Sequence, residues 1–142
     1  MVDVAVIRKR VKFAIEQARR DQAERRGRVA EAKKAYDAFL QNAAIPVFRM
    51  FANILKSESL HFEVMTPAGG VRLQSERHRD DAIEMELDTA VDPPAPQVTI
   101  TRARGSRIVQ SDRRVQEGKP LAQLTEDDVV EMLLEELRPW LG

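Results

Sequence analysis

The chain has no cysteine, two histidines, one tyrosine and one tryptophan in 142 residues. Without cysteine there are no disulfides, no thiolate metal ligands and no cysteine nucleophile. That absence fits a cytoplasmic protein. The histidines give no metal pair. His61 lies in the alternating stretch "LHFEVM" and His78 in the polar "SERHRDD", with no second histidine at ligand spacing. Ser75, His78 and Asp81 are triad residue types, but triads assemble from separate elements rather than from one loop. The only glycine pair, in "TPAGG", lacks a P-loop lysine and runs into a strand-like segment. Aromatic platforms are scarce, and no zinc-finger, helix-turn-helix or aromatic ribonucleoprotein motif is present. The apolar runs fall short of the roughly 20 residues that cross a bilayer, and charges follow the short apolar start too closely for a secretory leader. No catalytic residue, cofactor, metal or membrane contact is expected.

What the chain has in quantity is charge. Hydrophobic residues make up 43% and charged residues 32%, the balance of one globular domain over 1–142 tilted toward charged helix. Net charge is zero, yet the signs are segregated. Residues 1–45 hold 11 basic and 6 acidic side chains, and residues 98–119 hold 6 and 2. Residues 46–97 hold 5 and 9, and residues 120–142 hold 1 and 6. Opposite blocks that pack together would cancel.

Helix formers dominate residues 4–41, and Glu16–Arg20, Asp21–Arg25 and Glu24–Arg28 are acid-to-base pairs four apart. One long helix is expected there, although Val2, Val4 and Val6 also fit a short strand. Pro46 is expected to end or kink it and to open a second helix over 44–56. In that helix Val47, Phe48, Met50, Phe51, Ile54 and Leu55 form an apolar face. Residues 60–115 alternate as strands. Ile83, Met85 and Leu87 point one way and Glu84, Glu86 and Asp88 the other, while Gly105-Ser106 marks a two-residue hairpin. Met50, Met65, Met85 and Met132 read as core fillers. A final helix spans 125–138, with a capping box from Thr125 to Asp128 and a stop at Pro139, after which Trp140 and Leu141 fold back on the core. The fold class is therefore α+β: two N-terminal helices, an antiparallel meander of four to five strands, and a closing helix.

On a heptad, Val4, Val11, Ile15, Ala18, Val29, Ala32, Tyr36 and Phe39 form a seam broken by Arg8, Gln22 and Arg25. At about 1.5 Å per residue the helix spans roughly 55 Å, longer than the domain that carries it. Part of it must project, curl or lie on a second chain. Lys12, Arg19, Arg26 and Lys33 recur every seven residues on one flank. Self-pairing sets that flank against itself or against a column with one acid, so an acidic neighbour suits it better. The final helix offers Glu126, Asp127, Asp128, Glu131, Glu135 and Glu136. The two terminal helices are therefore expected side by side, within one chain or across a dimer.

Arg102, Arg104 and Arg107 form a second basic group around the hairpin. The expected function is a non-enzymatic interaction or assembly protein, homo-oligomeric or bound to another protein, using the long charged helix. The alternative is a nucleic-acid-associated protein using the basic flank and the arginine hairpin.

Overall fold

The computed structural model describes residues 1–142. It is α+β. Helix α1 (Val4–Phe39) leads through a π turn (Leu40–Ala44) into α2 (Ile45–Ser57). Five strands follow: β1 (Phe62–Met65), β2 (Gly70–Ser75), β3 (Ala82–Asp88), β4 (Ala95–Arg104) and β5 (Arg107–Arg114). Helix α3 (Glu126–Leu141) closes the chain. The strands pair antiparallel in sequence order, an uninterrupted meander with β1 and β5 at its edges. Residues 2–7 are not a strand. The side chain of Asp3 accepts from the Ala5 N–H and caps the first turn of α1.

Pro46 lies in the first turn of the second helix, as expected, but no loop separates that helix from the first. Helix continues from Val4 to Ser57, and the proline is absorbed by the π turn. Proline has no N–H to donate, and its ring crowds the carbonyl four residues back. Widening the turn removes both conflicts, and the Ile45 N–H reaches five residues back to the Leu40 carbonyl. Met50 and Ile54, expected in the core, lie more than half exposed, and Pro46 is exposed between the buried Ile45 and Val47. Met65 also faces outward, on an edge strand, while Met85 and Met132 are buried.

The continuous helix contains one window apolar enough to span a membrane by length and composition, with mean hydropathy 1.2, and 44% of that window is buried inside the fold. The expectation that no stretch reaches that threshold is thus corrected.

The alternation is as read from the sequence. Phe62, Val71, Leu73, Ile83, Met85, Val98 and Ile100 point to the inner face. There they join Phe48, Leu55, Val129, Met132, Leu133 and Leu137 in a single core. Glu63, Arg72, Glu84 and Glu86 lie on the outer face, where Arg72 bridges to Glu84. Gly105 takes φ +61° and Ser106 does not take a positive φ, the pattern of a type II′ turn between Arg104 and Arg107.

Thr125 and Asp128 form the capping box. Burial works against the Asp128 carboxylate, but hydrogen bonds from Lys119 and Thr125 outweigh it and hold its pKa below the usual range. Pro139 does not stop α3, which runs on to Leu141. Trp140 packs on the core beside Phe62, with ring centroids 5.9 Å apart, whereas Leu141 stays exposed.

Candidate interaction surface

The candidate surface begins where α1 leaves the core. Tyr36 and Phe39 are buried, and Val29 and Ala32 are half-buried against the head. Two arginines then fasten the helix to the β3–β4 connection. Arg25 donates to the Thr89 carbonyl at 3.3 Å, and Arg28 grips both Asp92 carboxylate oxygens at 3.1 and 2.8 Å. Their mutual hydrogen bonds hold the Asp92 pKa below the carboxylate range and raise that of Arg28, so the clasp is ionised at neutral pH.

Upstream of this clasp no side chain of α1 is buried, and none makes a hydrogen bond or ion pair with the rest of the chain. Every residue from Met1 to Arg28 is exposed except Gln17, which is intermediate. The bare stretch is not uniformly polar. Val4, Ile7, Val11, Ala14, Ile15 and Ala18 fall on one stripe at helical spacing. Val4 is 70% exposed and Ile15 44%. The stripe lies in line with the face that docks on the head through Val29 and Tyr36. Val6 and Phe13, seven residues apart, lie on the opposite side, and Phe13 is 62% exposed. The sequence reading missed this second patch because Val6 and Phe13 fall outside the seam.

Lys12, Arg19, Arg26 and Lys33 border the stripe on one side. The ion pairs of the chain use Arg28, Lys56, Arg72, Arg102, Arg113, Arg114 and Lys119, and none of those four flank residues. The expectation that α1 and α3 lie side by side within one chain is therefore corrected. The acids of α3 turn to the hairpin and the segment before the helix instead. Arg113 meets Glu135 at 2.7 Å, Arg102 approaches Glu136 at 3.7 Å, and Lys119 holds Asp128 at 2.7 Å. The signal was present in the alternation: Arg102 continues the inward parity of Val98 and Ile100, and Arg113 is the cross-strand partner of Val98.

The hairpin arginines divide accordingly. Arg102 is drawn inward, donating to the Glu136 carbonyl at 2.8 Å with its guanidinium 5.0 Å from the Trp140 ring centroid. Arg104 and Arg107 face each other across the turn, exposed and unpaired. The clasp of α1 sits at the Ala95 end of β4, and these arginines sit at the other end, roughly 30 Å along the strand.

Open clefts lie between α1 and the head. One, about 330 Å³, lies between Arg28, Ala32 and Ala35 and the apolar Pro93, Pro94 and Leu121. Another, about 320 Å³, is lined by Lys33, Tyr36, Leu40, Gly69, Glu86 and Thr89. The Tyr36 hydroxyl is buried there without a hydrogen-bond partner. Burial, then the charges of Glu86 and Glu84, push its pKa up, so the phenol stays protonated at neutral pH. An unpaired buried hydroxyl costs about 1–3 kcal/mol. Tyr36→Phe is therefore expected to raise the urea midpoint slightly, by the equivalent of about 1 kcal/mol. A loss of stability would show that the hydroxyl has a partner in solution.

No group of three or more histidine, aspartate or glutamate side chains converges as a metal site. No protein-family model matches the chain, and no curated protein or solved structure matches it.

Proposed function

We propose that this chain is a non-enzymatic assembly protein: a folded α+β head that presents the N-terminal half of α1 as a docking helix and self-associates through it. One observation carries the reading. The rod from Val4 to the Arg28 clasp leaves the head with an apolar stripe that nothing in the chain covers. In proteins most helical stability comes from packing an apolar face, and this stripe has no such packing within its own chain. A bare contiguous apolar stripe marks a docking surface. The clasp and the buried Tyr36–Phe39 turn hold the rod at one angle to the head, which reduces the ordering cost of binding.

The nucleic-acid alternative has less behind it, because Arg102 is tied to Glu136 and Trp140 rather than displayed beside Arg104 and Arg107.

The test is native mass spectrometry and sedimentation of the wild type and of an Ile7→Glu/Val11→Glu/Ile15→Glu variant. The wild type is expected as a dimer or larger at micromolar concentration. The variant is expected as a monomer whose head still unfolds cooperatively, since none of the three side chains is buried in the chain. A monomeric wild type at tens of micromolar, taken from the affinity scale of specific interfaces, overturns the proposal.

A further inference from the structure

We infer that the surface covering the projecting stripe of α1 is the exposed side of α3 in a second copy of this chain, packed antiparallel to it. This rests on the assembly reading above and names its partner.

Helix α3 carries more apolar surface than its own core uses. Val129, Met132, Leu133 and Leu137 face inward and are buried. The apolar band continues around the helix through the half-buried Val130 to Leu134 and Leu141, which are 46% and 45% exposed. Beyond Leu134 the band is bordered by Asp127, Glu131 and Glu135, with Arg138 as the one base among them. Glu135 answers to Arg113 in its own chain, but Asp127 and Glu131 are exposed and take part in no ion pair.

The bare half of α1 is the counterpart of this surface. Its stripe from Val4 to Ala18 is bordered on one side by Arg8, Lys12 and Arg19, exposed and unpaired. The lengths agree. Val4 to Ala18 covers about 22 Å, and the 16 residues of α3 cover about 24 Å.

Orientation follows from handedness. Seen from outside with the N-terminus below, each right-handed helix carries its charged border to the right of its apolar stripe. Facing two such helices in parallel puts the borders on opposite sides. Turning one end over end brings them together, with Arg19 toward Asp127 and Lys12 toward Glu131. The same geometry explains why the basic flank suits α3 better than another α1: the antiparallel self-pair brings basic border to basic border. Each copy owns one α1 and one α3, so two copies related by a two-fold axis would make this contact twice, and the inference is of that closed dimer rather than an open chain.

The experiment is a charge swap read by sedimentation at about 150 mM salt, where exposed charges within about 8 Å still interact. Lys12→Glu/Arg19→Glu and, separately, Asp127→Lys/Glu131→Lys are each expected to weaken the dimer by roughly tenfold or more. The four changes combined are expected to restore dimerisation to within a few-fold of wild type. All four positions are exposed, and circular dichroism is the check that each head stays folded. Leu134→Glu is expected to abolish the dimer, whereas Met50→Glu/Ile54→Glu, on the exposed side of α2, is expected to leave it intact.

Three outcomes overturn the inference. If the α3 variants leave the dimer unchanged while the Ile7→Glu/Val11→Glu/Ile15→Glu variant abolishes it, self-association through α1 stands and α3 is not its partner. Failure of the fourfold swap to recover what the twofold changes lose is the second. A monomeric wild type sinks the inference and the assembly reading together.

Discussion

Phe48→Ala is expected to cost about 3–5 kcal/mol of folding stability, the usual range for emptying a buried aromatic site. Phe48 is fully buried in α2, two residues after Pro46, in the cluster that includes Leu73, Ile83, Met85, Met132 and Leu133. Its ring sits where helices and sheet face are joined into one core, so collapse around the gap would require helix and sheet to move together. A domain of this size has about 5–15 kcal/mol in total. The loss is therefore a large share of the whole, equivalent to a fall in melting temperature on the order of 10 °C or more. Urea unfolding followed by circular dichroism measures it. A change below about 1 kcal/mol would mean that α2 does not pack on the inner sheet face as described.

Gly70→Ala is the second large effect, and it comes from backbone rather than from a lost contact. Gly70 opens β2 and pairs with Glu86 on β3. A Cβ at this position would lie 2.7 Å from the carbonyl oxygen of Met85, closer than real Cβ atoms come to any neighbour. The obstacle is main chain in a paired strand and cannot swing aside as a side chain would. One strand must shift, and the expected cost is about 2–3 kcal/mol, the scale of overpacking a well-packed site. Gly27→Ala is the control. Nothing lies within 4 Å of a Cβ there, in the exposed part of α1, and alanine is expected to stabilise by about 1 kcal/mol. If both changes have the same sign, the close approach of β2 and β3 at Gly70 is wrong.

Both predictions concern the head, which was the more legible part of the chain. The strand alternation at Ile83, Met85 and Leu87, the turn at Gly105 and the capping box at Thr125 are local rules, and each appears where the residues place it. Pro46 opens the second helix as read, whereas the stop expected at Pro139 does not occur. Pro46 and Pro139 are poor helix residues by propensity, but each is tolerated where the surrounding turn gives way: a widened π turn at the first, the last turn of α3 at the second.

The candidate surface was legible in composition and not in partnership. The seam, the basic flank at Lys12, Arg19, Arg26 and Lys33, and the excess length of the first helix are periodicities, and period 3.6 carries them without knowledge of the fold. Which side chains pair is a different kind of fact. Opposite charge in α1 and α3 made them plausible neighbours, yet Glu135 and Glu136 meet Arg113 and Arg102, because β4 and β5 carry those arginines to the inner face directly beside α3. Thus the sequence alone determined the elements, their faces and a helix too long for its domain. The tertiary structure decided that the N-terminal half of that helix stands bare beyond the Arg28–Asp92 clasp. The physical reason is range: alternation, capping and turn chemistry act over a few residues, whereas burial and ion pairing depend on positions that only the packed chain brings together.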